Sequence, residues 1–265
     1  MSLIFKIETN FCEYPFLKNV TSYMSESFFR EYDFYICGLE YLHTPPAVGD
    51  NVIVLILADE YDTIPPYLDD VRCVFKTGVS KESSSNKLIP FPLGHTKLYT
   101  DTDHMHSISD RLIDVFFSGQ VITRDRADMI RHLRDLESEN QYNINVNISG
   151  GFLQGLDGNT YSDTMRSSKI CICPAGTTMP ESFRYFEAFK SGTIVFTKDY
   201  IPETDLYKDA PVIKMRDWSQ LKPAVKHILN DVTLLKSYLE RTSNYHLNNY
   251  SEKACAELIL SKCNI

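Results

Sequence analysis

The sequence has no excess of positive charge. Its 265 residues include 27 lysines and arginines against 35 aspartates and glutamates, a formal net charge of −8. Nucleic-acid-binding domains usually carry a basic face, so no nucleic-acid partner is expected. Tryptophan occurs once, whereas 16 tyrosines and 15 phenylalanines supply ample apolar surface.

Long hydrophobic runs are also missing. A membrane-spanning helix needs roughly 18 consecutive apolar residues, and the longest run here, Val52 to Ala58, has the length of a buried strand. The first ten residues are interrupted by Lys6 and Glu8 and do not resemble a signal peptide. We expect a cytoplasmic protein. The aromatic residues among the first 45 positions leave open peripheral association with the inner face of the membrane.

The seven cysteines are odd in number and scattered, which favours a reducing compartment over a disulfide framework. Cys171 and Cys173 alternate along one predicted strand and share a face. Because no second pair completes a metal site, they are predicted to be buried thiols.

Apolar strands alternate with amphipathic helices, the pattern of α/β proteins with parallel sheets. Strands are predicted at VIVLILADE, VRCVFKTG, DVFFSGQ, NINVNI, KICIC and TIVFT. The polar stretch from Leu98 to Asp110 lacks periodicity and predicts a link between two domains, residues 1–108 and 109–265. The sequence leaves open whether the C-terminal segment, Tyr245 to Ile265, packs back on the first domain. Two such domains leave a cleft at the carboxyl ends of their strands, where these sheets bind ligands.

The segment SKICICPAGTTMPESFRYFEAFKSGTIVF (168–196) predicts a strand, a polar loop, a helix and a strand. Thr178 and Glu181 have capping-box spacing, and Pro180 suits the first turn of a helix. Gly176 permits close backbone approach, and the helix N-terminus favours an anion. This loop is either a phosphate site or an ordinary tight turn before a capped helix.

Arg184 and Glu187 lie three residues apart on that helix and are therefore neighbours. They form either a surface ion pair or a site in which the carboxylate holds a ribose diol. Arg124 and Arg126 follow the strand DVFFSGQ at the start of another helix, where the helix dipole disfavours cations. An anion such as a pyrophosphate would account for them. A solvated charge cluster is the other interpretation.

These residues carry a family resemblance. From Pro90 to about Glu203 the sequence resembles the nucleotide-sugar-binding half of exostosin-type glycosyltransferases, in which a strand precedes a Ser-x-Arg-x-x-Glu-Ala helix. Ala175 stands where that family often has arginine. The matching residues are Cys171, Cys173, Pro174, Gly176, Ser182, Arg184, Glu187, Ala188 and Gly192.

The resemblance implies a compact GT-B architecture of two Rossmann-like domains, with the acceptor on residues 1–108 and the nucleotide sugar on residues 109–265. Glu187 would hold the ribose, and Arg124 and Arg126 would flank the leaving group. The diphosphate would lie among Gly119, Pro174, Gly176, Thr177, Ser182 and Arg184. No cofactor or metal is implied. The pattern Asp101-Thr-Asp103, with His104 and His106 beside it, lies in the polar link and is read as coincidence.

The base that activates the acceptor is expected in the first domain. Asp59 and Glu60 end an apolar strand, where a carboxylate faces the ligand edge, and His95 is the third candidate. Each of the three also has a purely structural interpretation.

The sequence therefore predicts a glycosyltransferase that moves a sugar from a nucleoside-diphosphate sugar to a glycan or lipid-linked acceptor in polysaccharide or surface-glycan synthesis. A UDP-sugar is the favoured donor. One alternative is a fucosyltransferase-like enzyme that uses a GDP-sugar. Another is a non-catalytic nucleotide- or glycan-binding domain. A third, a metabolite-binding α/β protein, requires Arg184 paired with Glu187 and a closed PAGTT loop.

Overall fold

Parallel strands alternate with helices in the computed structural model, which describes residues 11–59, 61–79, 85–101, 106–199, 202 and 204–263. This confirms the predicted α/β class with parallel sheets. The chain divides into two units. Unit 1 is Met1–Thr96 with Pro202–Lys208 and Asn249–Ile265, and unit 2 is Lys97–Ile201 with Asp209–Asn248.

The described part of unit 1 has a four-stranded parallel sheet in the order β1-β2-β3-β4. The strands are β1 (Asp33–Cys37), β2 (Gly49–Ile56), β3 (Val71–Lys76) and β4 (Leu88–Pro90), and the helices are α1 (Tyr14–Ser22), α2 (Glu26–Glu31) and α8 (Glu252–Lys262). Successive side chains of β2 point to opposite faces. Ile53 and Leu55 therefore join the helix-covered core, whereas Val54 and Ile56 join a second apolar cluster.

Helix α8 completes the core of unit 1. Ala256 and Ile259 are buried among the residues that α1 and β2 contribute. The carbonyl of Cys263 accepts hydrogen bonds from Arg72 Nη2 at 2.9 Å and from Tyr32 Oη at 3.3 Å. These bonds tie the C-terminal end of α8 to β3 and to the residue that precedes β1.

Unit 2 has a five-stranded parallel sheet in the order β6-β5-β7-β8-β9 among its described residues. Its strands are β5 (Ile113–Gly119), β6 (Ile144–Ile148), β7 (Ser168–Ile172), β8 (Ile194–Lys198) and β9 (Ile213–Met215). Its helices are α3 (Arg124–Glu137), α4 (Gly158–Arg166), α5 (Phe183–Lys190), α6 (Leu221–Asn230) and α7 (Val232–Tyr245). Met129, Leu133 and Leu136 pack one face of α3 into the core, as its periodicity predicts.

The cysteines are free, and Cys171 and Cys173 are buried, which confirms the prediction of buried thiols. Burial is also the main cause that raises the pKa of Cys173 well above its ordinary value. Among the described residues, no helix is both long enough and apolar enough to cross a membrane.

Candidate functional site

The strand order of unit 2 defines a place for a ligand. Strand β5 pairs with β6 on one side and with β7 on the other, so the chain changes direction across the sheet between β5 and β7. Open parallel sheets bind ligands outside the carboxyl ends of the strands at such a point. Here β5 ends at Gly119, and β7 leads into Cys173 and Pro174.

Arg184 of α5 reaches this point. Its Nε donates to the carbonyl of Ser118 at 2.8 Å, and its guanidinium carbon lies 4.9 Å from the centre of the Phe117 ring. Its Nη1 is buried and has no hydrogen-bond partner among the described residues. A buried cationic donor without a partner is costly unless a ligand or water satisfies it. The neighbourhood of Nη1 is therefore suited to an acceptor oxygen.

Gly119 makes room for this guanidinium. A Cβ atom at position 119 would lie 2.2 Å from Arg184 Nη2, and the backbone there has φ +154°, which side-chain-bearing residues rarely adopt. A glycine at the end of β5 is thus required by the approach of Arg184.

Glu187 is 2% exposed, and its Oε2 accepts a hydrogen bond of 2.6 Å from Tyr161 Oη of α4. Burial first, and then the neighbouring carboxylate, raises the pKa of Tyr161 well above its ordinary value, so the phenol keeps its proton. Arg184 donates to a backbone carbonyl and not to Glu187. The pairing that the metabolite-binding alternative requires is therefore not formed. The role of Glu187 towards a ribose stays a prediction.

Arg124 and Arg126 have different surroundings at the start of α3. Arg126 is buried and donates from Nε and Nη2 to the carbonyl of Ala175, at 3.2 and 2.6 Å, and from Nη1 to that of Gln120 at 3.0 Å. It therefore joins the loops that follow β5 and β7. Arg124 is exposed, and no described residue forms an ion pair or hydrogen bond with its side chain.

The PAGTT loop is not the capped helix start that its spacing predicts. Helix α5 begins at Phe183 with Ser182 at the N-cap, so the capping box of Thr178 and Glu181 is wrong. The chain turns there instead, and the turn leaves no room for a side chain at position 176, because a Cβ would lie only 2.6 Å from the carbonyl oxygen of Glu181. The close backbone approach at Gly176 is made by the loop itself. Within the loop, Pro174 is buried and Thr177 is exposed.

In unit 1, Asp59 follows β2 and forms an ion pair with Lys76 Nζ at 3.0 Å, with both side chains fully buried. Its oxygens also accept from the amides of Tyr61 and Thr63 at 2.9 and 2.7 Å. Burial acts to raise the pKa of Asp59, but these amides and Lys76 together hold it below its ordinary value. Such a carboxylate is a poor proton acceptor, and the geometry favours a structural role.

His95 is buried in unit 1, where Nδ1 faces the carbonyl of Thr96 at 3.2 Å and Nε2 faces Glu252 Oε1 of α8 at 3.3 Å. Both partners are acceptors, so both bonds form together only when the ring carries two protons. Glu60, the remaining candidate base, lies outside the described residues, as do Asp103 and His104. Asp101 pairs with Lys190 at 3.0 Å.

Sequence reasoning missed several partners that build this site. No motif in the sequence identifies Tyr161 as the donor to Glu187. The carbonyls of Ser118 and Ala175 carry no side-chain signal at all, because any residue supplies a carbonyl.

The sequence matches no protein-family model and no curated protein. The solved structures that this chain resembles include GT-B glycosyltransferases. A variant of S. aureus TarM, solved with Fondaparinux, α-GlcNAc-glycerol and UDP, aligns with TM-score 0.56 and 11% identity over 94% of this chain and 58% of TarM. Sucrose-phosphate synthase from Thermosynechococcus elongatus aligns with TM-score 0.54 and 12% identity over 86% of this chain and 72% of that one.

An α-glucosyltransferase in complex with UDP-glucose and DNA containing an abasic site aligns with TM-score 0.51 and 9% identity over 93% of this chain and 84% of that one. In the alignment with TarM, this chain covers 58% of that protein, little more than half its length. At these identities the likeness concerns the fold alone, and membership of the exostosin family stays a prediction.

Proposed function

We propose that this chain is a glycosyltransferase that moves a sugar from a nucleoside-diphosphate sugar to a glycan or lipid-linked acceptor, in polysaccharide or surface-glycan synthesis. The observation that carries the proposal is the buried Nη1 of Arg184, which has no partner among the described residues. It lies where the strand order changes direction between β5 and β7, in a fold that resembles GT-B glycosyltransferases. The UDP in the TarM structure and the UDP-glucose in the α-glucosyltransferase structure support a UDP-sugar as the donor. A GDP-sugar, as in the fucosyltransferase-like alternative, is the competing donor.

In the proposed reaction, the bond between the anomeric carbon of the sugar and the diphosphate oxygen breaks, and a bond to the acceptor oxygen forms. The departing diphosphate gains negative charge, and preorganised donors aimed at developing charge lower the barrier. Arg184 and the exposed Arg124 supply cations, and α3 and α5 both begin after strands that end at this edge. Gly119, Pro174, Gly176, Thr177 and Ser182 would line the diphosphate, and Arg126 would hold the loops in place.

In this proposal these groups would provide the charge stabilisation in place of a metal ion, and the transfer would need no cofactor. Unit 2 would take the donor and unit 1 the acceptor. Glu60, Asp59 and His95 are the candidates to take the proton of the acceptor hydroxyl. The two that the structure describes, Asp59 and His95, offer no unengaged basic atom.

This engagement supports a second candidate function, a non-catalytic domain that binds a nucleotide or a nucleotide sugar. Asp59 is neutralised by Lys76, and His95 faces two acceptors. A domain of this kind would keep the Arg184 site and lose turnover. Release of UDP from UDP-sugars, with and without oligosaccharide acceptors, separates the two functions when it is measured beside binding.

Calorimetric titration with UDP, GDP, CMP and ADP, with and without Mn²⁺, tests the primary proposal. We expect one nucleoside diphosphate to bind with the same affinity in both conditions. Arg184→Met should weaken it about 10- to 100-fold, because a charge-assisted hydrogen bond to a phosphate is lost. Arg131→Met, which removes an arginine from the exposed side of α3, is the matched control. Failure of all four nucleotides to bind would overturn both candidate functions.

Glu187→Gln tests the ribose assignment separately. If the carboxylate holds the ribose, the variant should bind the nucleoside diphosphate more weakly and inorganic pyrophosphate unchanged. An equal loss for both ligands would instead show that Glu187 only supports the fold around Arg184.

A further inference from the structure

The loop that follows β6 presents an exposed aromatic ring beside the Arg184 site. Phe152 is 59% exposed, and its ring centre lies 6.2 Å from that of Phe183 at an angle of 34°. Phe183 is the first residue of α5 and directly precedes Arg184. An exposed aromatic side chain therefore rests on the helix turn that carries the cationic group.

The loop is anchored to the strand end that holds Arg184. Ser149 donates its amide to the carbonyl of Gly119 at 3.1 Å, which continues the pairing of Gly119 with Ile148. At the other end of the loop, a Cβ on Gly155 would lie 3.6 Å from Ser118 Oγ. Both ends of the loop thus return to the last two residues of β5, one of which accepts the hydrogen bond from Arg184.

The tip of the loop is held in an unfavourable backbone conformation. Leu153 has φ +58°, a left-handed conformation that residues with a Cβ avoid. Such strain persists only where the surroundings determine it, and it is frequent at ligand sites. This strained residue directly follows Phe152, whose side chain is left mostly uncovered.

We propose that Phe152 is the nucleobase platform of the donor site, on which the base of a nucleoside diphosphate stacks while its diphosphate lies at Arg184. This inference rests on the proposed function. Phe152 lies on a loop whose ends reach Ser118 and Gly119, the two residues that contact Arg184. An exposed aromatic ring on this loop and a cation with an unsatisfied donor are together complementary to a flat heteroaromatic base joined, through one ribose, to an anion. Phe183 supports the platform ring. Two further exposed apolar residues, Ile122 and Ile148, lie after β5 and at the end of β6.

A nucleobase is the favoured occupant because of this charge complementarity. A protein or lipid partner would use the apolar residues and leave the buried Nη1 of Arg184 unsatisfied. Stacking on an aromatic side chain tolerates different bases. The platform should therefore add affinity for several nucleotides and leave the choice of base to other groups.

The experiment compares nucleoside diphosphates with inorganic pyrophosphate on the whole chain. In Phe152→Ala we expect UDP or GDP to bind roughly 5- to 100-fold more weakly, the effect of one lost stacking contact, with pyrophosphate unchanged. Leu112→Ala is the matched control and should change neither affinity. It truncates an exposed apolar side chain that directly precedes β5, at the amino end of the strand and away from the proposed site.

Phe152→Trp provides a second readout. The single native tryptophan, Trp218, is 1% exposed, so an exposed indole at position 152 should emit at longer wavelength and be quenched on stacking with a base. Quenching by UDP or GDP but not by pyrophosphate supports the platform.

The outcomes separate this inference from the proposed function. If the wild type binds a nucleoside diphosphate and Phe152→Ala binds it equally well, the platform is overturned and the donor site stands. An equal loss of nucleotide and pyrophosphate in Phe152→Ala also overturns it, because the substitution would then act through the loop on Arg184. If the wild type binds no nucleoside diphosphate, the proposed function fails and the platform fails with it.

Discussion

Arg126 and Ala175 are 49 residues apart, and the guanidinium of the first holds the carbonyl of the second with two hydrogen bonds, at 3.2 and 2.6 Å. A third bond reaches the carbonyl of Gln120. One buried side chain therefore sets the spacing of the two loops between which the ligand is proposed to bind. The position of Arg126 at the start of a helix after a strand predicts an arginine that binds a ligand. In the structure its guanidinium instead donates to backbone carbonyls of the two loops, which is a structural role.

Replacing Arg126 with methionine should lower the free energy of unfolding by about 1–3 kcal/mol, because two loop carbonyls lose a charged donor. Thermal or denaturant unfolding measures the change. Arg131→Met on the exposed side of the same helix should stay within about 0.5 kcal/mol of the wild type. Equal stability of the two variants would contradict a scaffold role for Arg126.

Substitution of Asp59 by asparagine should cost about 3–5 kcal/mol, because the fully buried ammonium of Lys76 would lose its counter-charge. Urea unfolding gives the value. The double variant Asp59→Asn with Lys76→Met should recover part of the loss, since no buried charge is left unpaired. A double variant less stable than the single one would show that the pair is not the source of the effect.

The same carboxylate should make unit 1 sensitive to acid. The pKa of Asp59 is lowered in the fold from its ordinary value of 3.8. Its contribution to stability is therefore complete above that value and is lost as the pH falls through the lowered one. Unfolding free energies at pH 7 and pH 3 should differ more for the wild type than for the double variant. Identical differences would exclude Asp59 as a cause of the acid sensitivity.

Alanine at Gly119 should displace the guanidinium of Arg184, because the new methyl group would lie 2.2 Å from Nη2. We expect at least about a 10-fold loss of nucleotide affinity, the equivalent of about 1.4 kcal/mol, measured by calorimetry. Gly150→Ala is the control for the effect of a glycine-to-alanine change on the melting temperature. Its methyl group would meet no atom within 4 Å, so we expect its melting temperature to stay near that of the wild type. Unchanged nucleotide affinity in Gly119→Ala would argue against a ligand role for Arg184.

Tyr161→Phe should lower the free energy of unfolding by about 1–3 kcal/mol, because the buried Glu187 carboxylate loses a donor at 2.6 Å. Tyr142→Phe is the matched control, since its hydroxyl makes only an exposed hydrogen bond of 3.4 Å to Asn230. Equal melting temperatures for the two variants would show that the Tyr161 bond adds nothing to stability.

Several strands of the two sheets could be predicted from the sequence, because parallel strands that are buried on both faces consist of nearly continuous runs of apolar residues. VIVLILA contains most of β2, KICIC most of β7 and TIVFT most of β8. The aromatic-rich first 45 positions, whose described part includes α1, α2 and β1, gave no such pattern, since tyrosine and phenylalanine suit strands, helices and loops alike.

The candidate site was less predictable, because contacts across the fold decide what a charged group does. Asp59 ends an apolar strand and therefore has the position of a base. Its partner Lys76 is placed beside that strand by the pairing of Ile56 with Lys76, which no local pattern encodes. In the same way, Thr178 and Glu181 have the spacing of a capping box, but the turn at Gly176 moves the helix start to Phe183.

Helix α8 joins the core of unit 1 although the whole of unit 2 precedes it in the sequence. During synthesis, the sheet of unit 1 emerges first but keeps an uncovered apolar surface until Ala256 and Ile259 have left the ribosome. The main segments of unit 2 are complete before that point. We therefore expect unit 2 to complete its fold before unit 1, the reverse of the usual order in which the N-terminal part of a chain folds first. We also expect the first-made strands to be exposed to aggregation while the rest of the chain is translated.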